Sequence, residues 1–159
     1  MTQIEIVTEA EGWERIADCE AIIRRAVAAA LEAGGARAGE ITLLLADDAR
    51  VHALNRDYRG FDKPTNVLSF PAATMPGDEA PALGDIALAF ETCAREAREE
   101  GKELPDHLTH LVVHGVLHLL GHDHETDDEA EAMEALEVRV LAGLGINDPY
   151  RVEEKDPAR

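Results

Sequence analysis

His114-Gly115-Val116-Leu117-His118-Leu119-Leu120-Gly121-His122-Asp123-His124 is the stretch whose reading decides the fold. Residues four apart share a helix face, so His114 and His118 are expected to present their imidazoles side by side. Gly121 is the residue type expected just past a helix end, where the chain takes a left-handed conformation and turns. That turn would bring His124 back to the same point as a third nitrogen. Three neutral imidazoles leave one vertex of a tetrahedral zinc ion open, the mark of a catalytic rather than a structural site. A single histidine on an apolar helix face is ordinarily a core residue. Three at this spacing, with glycine where the bend is needed, point to one bound Zn2+ per chain.

The spacing His-x3-His-x5-His, with glycine three residues after the second histidine, is also that of the metzincin proteases. There a Glu follows the first histidine as general base. Here that position is Gly115, so the protease machinery is incomplete.

Upstream, Leu108, Leu111, Val112, Val113, Val116, Leu117, Leu119 and Leu120 make this helix apolar nearly all round, which predicts a central, buried position. Its one polar stripe carries His107, His110, His114 and His118 within about 80° of one another, and a cleft along that stripe follows. His107 and His110 are expected to hydrogen-bond at its edge rather than to ligate. Pro105 suits an early helix position. Downstream, Thr126-Asp127-Asp128-Glu129 is a capping-box pattern that starts a last helix, with Met133, Leu136 and Val140 inward and its acids on a solvated outer face. From Gly143 the chain reads as a tail, with Asp148-Pro149-Tyr150 folding back.

The first half reads as strand, helix, strand, helix. Ile4 and Ile6 mark a short strand, and Trp13 to Leu31 recurs at helical spacing up to Gly34. Ile41 to Leu45 is a buried strand. Asp47 or Asp48 caps a helix with Val51, Leu54 and Tyr58 inward, which Gly60 ends. Val67 to Phe70 is a third strand stopped by Pro71; residues 71–83, with three prolines, form a surface loop; Ile86, Leu88 and Phe90 mark a fourth strand; and Glu91 to Glu100 is an exposed helix. The expected architecture is α+β: a small mixed four-stranded sheet packed with helices around the histidine-bearing helix. Residues 1–150 read as a single metal-dependent hydrolase domain and 151–159 as a tail.

A net charge of −18 speaks against a generic nucleic-acid binder, yet leaves room for a local basic patch. Between positions 50 and 63, Arg50, Arg56, Arg59 and Lys63 face only Asp57 and Asp62, a local surplus of +2. The N-terminus lacks the basic and apolar regions of a signal peptide, and the longest apolar run is broken by His110, His114 and His118, so a cytoplasmic protein with no membrane association is expected. Cys19 and Cys93 form no C-x-x-C and read as reduced thiols.

These residues resemble the YbeY rRNA-maturation endoribonucleases of bacteria from about Leu43 to Tyr150. The motifs are Leu54-Asn55-Arg56-Asp57-Tyr58-Arg59, Pro64-Thr65-Asn66-Val67-Leu68-Ser69-Phe70-Pro71, Leu83-Gly84-Asp85-Ile86 and the histidine stretch His110 to His124. Asn66 departs from the Asp frequent there. The resemblance implies a zinc-dependent, single-strand-directed endoribonuclease in maturation of the small-subunit rRNA 3′ end and in ribosome quality control. It implies His114, His118 and His124 as metal ligands, Arg59 as a residue needed for activity, and rRNA, the small ribosomal subunit and an Era-type GTPase as partners.

Arg59, at a helix end beside Gly60, is expected to reach the cleft, where a guanidinium matches charge developing on phosphate oxygens. Asp123 adjoins a ligand and suits the orienting of an imidazole. Ser69, Thr65 and Asn66 offer groups for phosphate oxygens or for the backbone, and His122 reads as an exposed loop residue. Two rival readings stay open: a zinc metalloprotease-like hydrolase, and a non-catalytic ribosome-assembly factor with structural zinc.

Overall fold

The computed structural model describes residues 2–36, 39–72, 82–122 and 125–150. Its sheet has four strands: β1 (Gln3–Thr8), β2 (Glu40–Ala46), β3 (Val67–Pro71) and β4 (Ala82–Ala89), in the spatial order β1-β2-β4-β3. β1 and β2 pair in parallel, as do β2 and β4, whereas β3 runs antiparallel to β4. Parallel neighbours need a crossover. That between β1 and β2 holds helix α1 (Cys19–Ala33), and the path from β2 to β3 holds α2 (Asp48–Arg59). Helices α3 (Phe90–Glu99), α4 (Leu104–Leu119) and α5 (Asp127–Gly143) follow. The expected α+β architecture is the one found.

Alternation along β2 separates two cores. Ile41, Leu43 and Leu45 are buried with Ile86 and Leu88 of β4 beneath α1 and α4, the face that holds most of the apolar interior. Ala46, Ala87, Ala89 and Leu68 form a smaller core with Val51 of α2. Helix α4 runs through the larger one: Leu108, Val112, Val113, Val116 and Leu117 are fully buried, and the helix touches α1, α3, α5, β3 and β4. Each such side chain contributes about 1.5–3 kcal/mol through burial, which fixes α4 and the histidines on it.

Some boundaries differ from the sequence expectation. The helix expected from Trp13 is instead a 3-10 turn (Glu11–Arg15) followed, after a break at Asp18 (φ 57°), by α1. Trp13 causes the break: its indole N–H donates to the Ala46 carbonyl at 2.9 Å and its ring meets Phe90 edge-on at 5.1 Å. Tyr58 is not on the inner stripe of α2 but 74% exposed; the inward residue is Asn55, 3% exposed. β3 ends at Pro71, as expected, with the proline itself inside the ladder. It pairs with Gly84 as the strand's last residue, tolerated because β3 lies at the sheet edge, where no ladder donor is required. β4 correspondingly begins at Ala82, within the expected loop, of which residues 73–81 lie outside the described residues.

Candidate active site

Helix α2 delivers the first component. The Asp47 side chain caps it by accepting the Arg50 amide at 2.8 Å, and Gly60 ends it in the left-handed conformation (φ 76°). Asp48 ties it to α3 by accepting the Thr92 amide at 2.9 Å and hydroxyl at 2.8 Å. Within the helix, buried Asn55 donates to the Lys63 carbonyl at 2.9 Å, while its own carbonyl accepts the Phe61 amide at 3.2 Å. This clamp sets Arg59, whose Nη1 donates to the Ser69 carbonyl at 3.2 Å across the gap to β3.

Helix α4 delivers the second. Its histidine rings run in a row, with centroids 6.4 Å apart for His107–His110 and His110–His114 and 4.8 Å apart for His114–His118. Past the helix, Gly121 is left-handed (φ 97°) and the His122 amide donates to the Leu117 carbonyl at 3.0 Å, the bend expected there. His122 is half-buried and lines the cleft rather than standing exposed. His124, the third expected ligand, and Asp123, the expected orienter, lie outside the described residues.

His114, His118, Arg59, Lys63 and Phe61 line one cavity of about 690 Å³ between α4, β3 and the end of α2. The basic stretch around it divides. Arg56 is paired with Asp57 at 2.9 Å and Arg50 with Glu9 at 3.5 Å. Among the described residues neither Arg59 nor Lys63 is in an ion pair, so the surplus positive charge faces the cleft.

Gly115 is against the sheet. A Cβ there would stand 3.0 Å from Ile86 Cδ1 and 3.1 Å from Ser69 Oγ, so any side chain at this position would require Ile86 or Ser69 to shift. Ser69 also lines the cleft, and its hydroxyl donates to the Gly115 carbonyl at 3.1 Å, linking β3 to α4. Asn66 lines the cleft too, and its amide donates to Glu96 at 2.9 Å. Glu96, Glu100 and His107 place potential ligand atoms within 4.8 Å of one another, a possible cation-binding group. Lys102 already brings an ammonium to Glu100 at 2.8 Å, and Glu96 also receives His107 Nε2 at 3.0 Å.

Glu137 of α5 contacts the histidine row and is a residue that the sequence reading misses. Its side chain is fully buried, and Oε1 receives His114 Nδ1 at 2.8 Å and His110 Nε2 at 3.3 Å, while Oε2 accepts the Tyr150 hydroxyl at 2.8 Å. Burial pushes this carboxyl up, but the hydrogen bonds from His110 and His114, the His114 charge and the Tyr150 hydroxyl outweigh it and hold the group at about 2. Burial and the Glu137 charge in turn push the Tyr150 phenol above its usual range. One signal is present in the sequence: Glu137 lies four residues after Met133 and beside Leu136, so it belongs to the buried stripe, not the solvated acidic face. Tyr150 folds back as expected, with Lys102 Nζ donating to the neighbouring Pro149 carbonyl at 3.2 Å. Cys93 is buried, and burial pushes its thiol well above the usual range, as befits an inert thiol.

Fold and cleft together define an α+β protein with a histidine- and arginine-lined groove suited to an anionic substrate. Residues 5–145 match the family model described as Endoribonuclease YbeY. The chain belongs to this family, whose members are by name hydrolases that cut RNA within the strand. A protein named endoribonuclease YbeY from Rhodopseudomonas palustris strain BisA53 is 52% identical over 157 residues, 95% of this chain and 91% of its own length. Another of that name from Bradyrhizobium diazoefficiens is 54% identical over 92% of this chain and 84% of its own length. The solution structure of TM1509 from Thermotoga maritima shares the fold, with a TM-score of 0.57, 23% identity and coverage of 97% and 99% of the two chains. No helix among the described residues is long and apolar enough to cross a membrane.

Proposed function

We propose that residues 1–150 form one domain, with a tail at 151–159, and that this domain is a zinc-dependent, single-strand-directed endoribonuclease. It acts in the cytoplasm on the 3′ end of small-subunit rRNA and in ribosome quality control, with the small subunit and an Era-type GTPase as partners. The observation that carries the reading is one cavity holding both the His114–His118 pair, at 4.8 Å between rings, and the Arg59 guanidinium.

The donor set fits a zinc ion. Glu137 engages His114 Nδ1, so Nε2 is the ring nitrogen that a metal would take, alongside His118 and His124. Zinc bound there supplies Lewis acidity for phosphodiester hydrolysis near neutral pH. Arg59 offers a planar pair of donors to the non-bridging oxygens as their charge grows, which an ammonium cannot match geometrically. Lys63 holds a neighbouring phosphate by charge. Phe61, 53% exposed on the same rim, gives an unpaired base an aromatic surface, which favours single strands over duplex.

The peptide-hydrolase alternative loses support at Gly115, because the position of the protease general base carries no side chain and lies against the sheet. Incubating the purified protein with ribosomes and with naked rRNA, then mapping ends, tests the proposal. Wild type should cut and Arg59→Ala and His118→Ala should not. Uncut rRNA from wild type under every metal condition would favour the non-catalytic assembly factor.

A further inference from the structure

A fold rarely encloses a carboxylate without a reason. Removing one from water costs several kcal/mol unless donors surround it, and well-packed apolar replacements are often equally or more stable. Glu137 is fully buried beside Met133 and Leu141, where a leucine would serve packing. Its two oxygens are instead fully engaged: Oε1 with His114 and His110, Oε2 with Tyr150. His110 Nε2 is also 3.2 Å from the Tyr150 hydroxyl, so the far side of the carboxylate is braced. A carboxylate fixed on both oxygens cannot swing round to become a ligand itself. Of the two imidazoles it touches, His114 is the one that lines the cleft, so it acts there through His114.

We infer that Glu137 is a positioning residue for the metal centre, its carboxylate accepting a hydrogen bond from His114 Nδ1–H so that the ring turns Nε2 to the cation, with Tyr150 and His110 bracing the carboxylate. This rests on the reading of His114 as a ligand. The hydrogen bond made by one ring nitrogen decides which tautomer is present and how basic the other nitrogen is; such partners typically change metal affinity 10–100-fold. The arrangement also gives the returning C-terminal turn a function, because Tyr150 reaches the site without entering the cleft.

The experiment is zinc competition against a chromophoric chelator on the purified full-length chain, together with 15N NMR of the metal-free imidazoles. Glu137→Gln should weaken zinc binding about 10–100-fold while the protein stays folded, and Tyr150→Phe should weaken it by less. Metal-free wild type should show His114 protonated at Nδ1, and Glu137→Gln should erode that preference, which a merely structural role would leave alone. Zinc affinity within twofold of wild type in folded Glu137→Gln would overturn the proposal. If that variant fails to fold, the wild-type spectrum decides: His114 protonated at Nε2 overturns it too. Undiminished zinc in His114→Ala would bring down the ligand reading itself, an outcome distinct from either.

Discussion

A guanidinium and an ammonium carry the same charge but not the same geometry, and the role proposed for Arg59 rests on the geometry. Its side chain is exposed and spans to the Ser69 carbonyl, so Arg59→Ala should leave the melting temperature almost unchanged. Losing one preorganised donor to a developing oxyanion lowers kcat by roughly 100–1,000-fold; Arg59→Lys should recover little of it in single-turnover cleavage of a labelled oligonucleotide. Glu137 makes a prediction in the acid range. Its carboxyl sits at about 2 in the folded protein against an ordinary 4.5. A lowered group contributes stability that is complete above its unfolded value and is lost as pH falls through the folded one. Thermal unfolding of metal-free protein should therefore show the gap between wild type and Glu137→Gln narrowing from pH 4.5 to pH 2. Residue roles are the least legible level in the sequence. Ser69 and Asn66 carry groups suited to phosphate, and only the fold reveals that they also bond Gly115 and Glu96.

At the level of elements, the sequence speaks most clearly where one segment satisfies its own needs. The cap at Thr126, with the Glu129 amide donating to its hydroxyl at 3.1 Å, the left-handed stops at Gly60 and Gly121, and the apolar surround of α4 all follow from local spacing. It misleads where a distant partner intervenes, as with Trp13, whose bond to Ala46 breaks a helix that periodicity would continue. Two elements carry predictions. Gly115→Ala inserts a methyl 3.0 Å from Ile86 Cδ1 where α4 meets β4, and should cost about 1–3 kcal/mol, seen as a melting point several degrees lower. At the end of α2, Asn55→Ala leaves the Lys63 carbonyl without its donor and loosens the loop beside Arg59. Stability should fall by about 1–3 kcal/mol, and KM for single-stranded RNA should rise, because the affected loop carries Lys63, the proposed phosphate contact.

Over the whole molecule, charge sets a problem that no single element solves. Strand order β1-β2-β4-β3 depends on pairings between distant segments, which periodicity does not encode, and so does the way the basic stretch divides. Arg50 and Arg56 are taken by Glu9 and Asp57, leaving Arg59 and Lys63 to face the cleft inside a chain of net charge −18. An RNA strand therefore meets long-range repulsion and short-range attraction. The two respond differently to salt, since the Debye length is about 30 Å at 0.01 M and about 10 Å at 0.1 M. Raising ionic strength over that interval screens the field of the whole protein while the contacts in the cleft persist. The association rate of an oligonucleotide, followed by stopped-flow fluorescence, should rise with salt across this range, opposite to a basic nuclease. Above it, equilibrium affinity should fall gently: two phosphate contacts on a single strand give a log–log slope of about −1.4. Lys63→Gln should reduce that slope by about half, because it removes one of the two contacts. A slope several-fold steeper would place the RNA on a different and more basic surface.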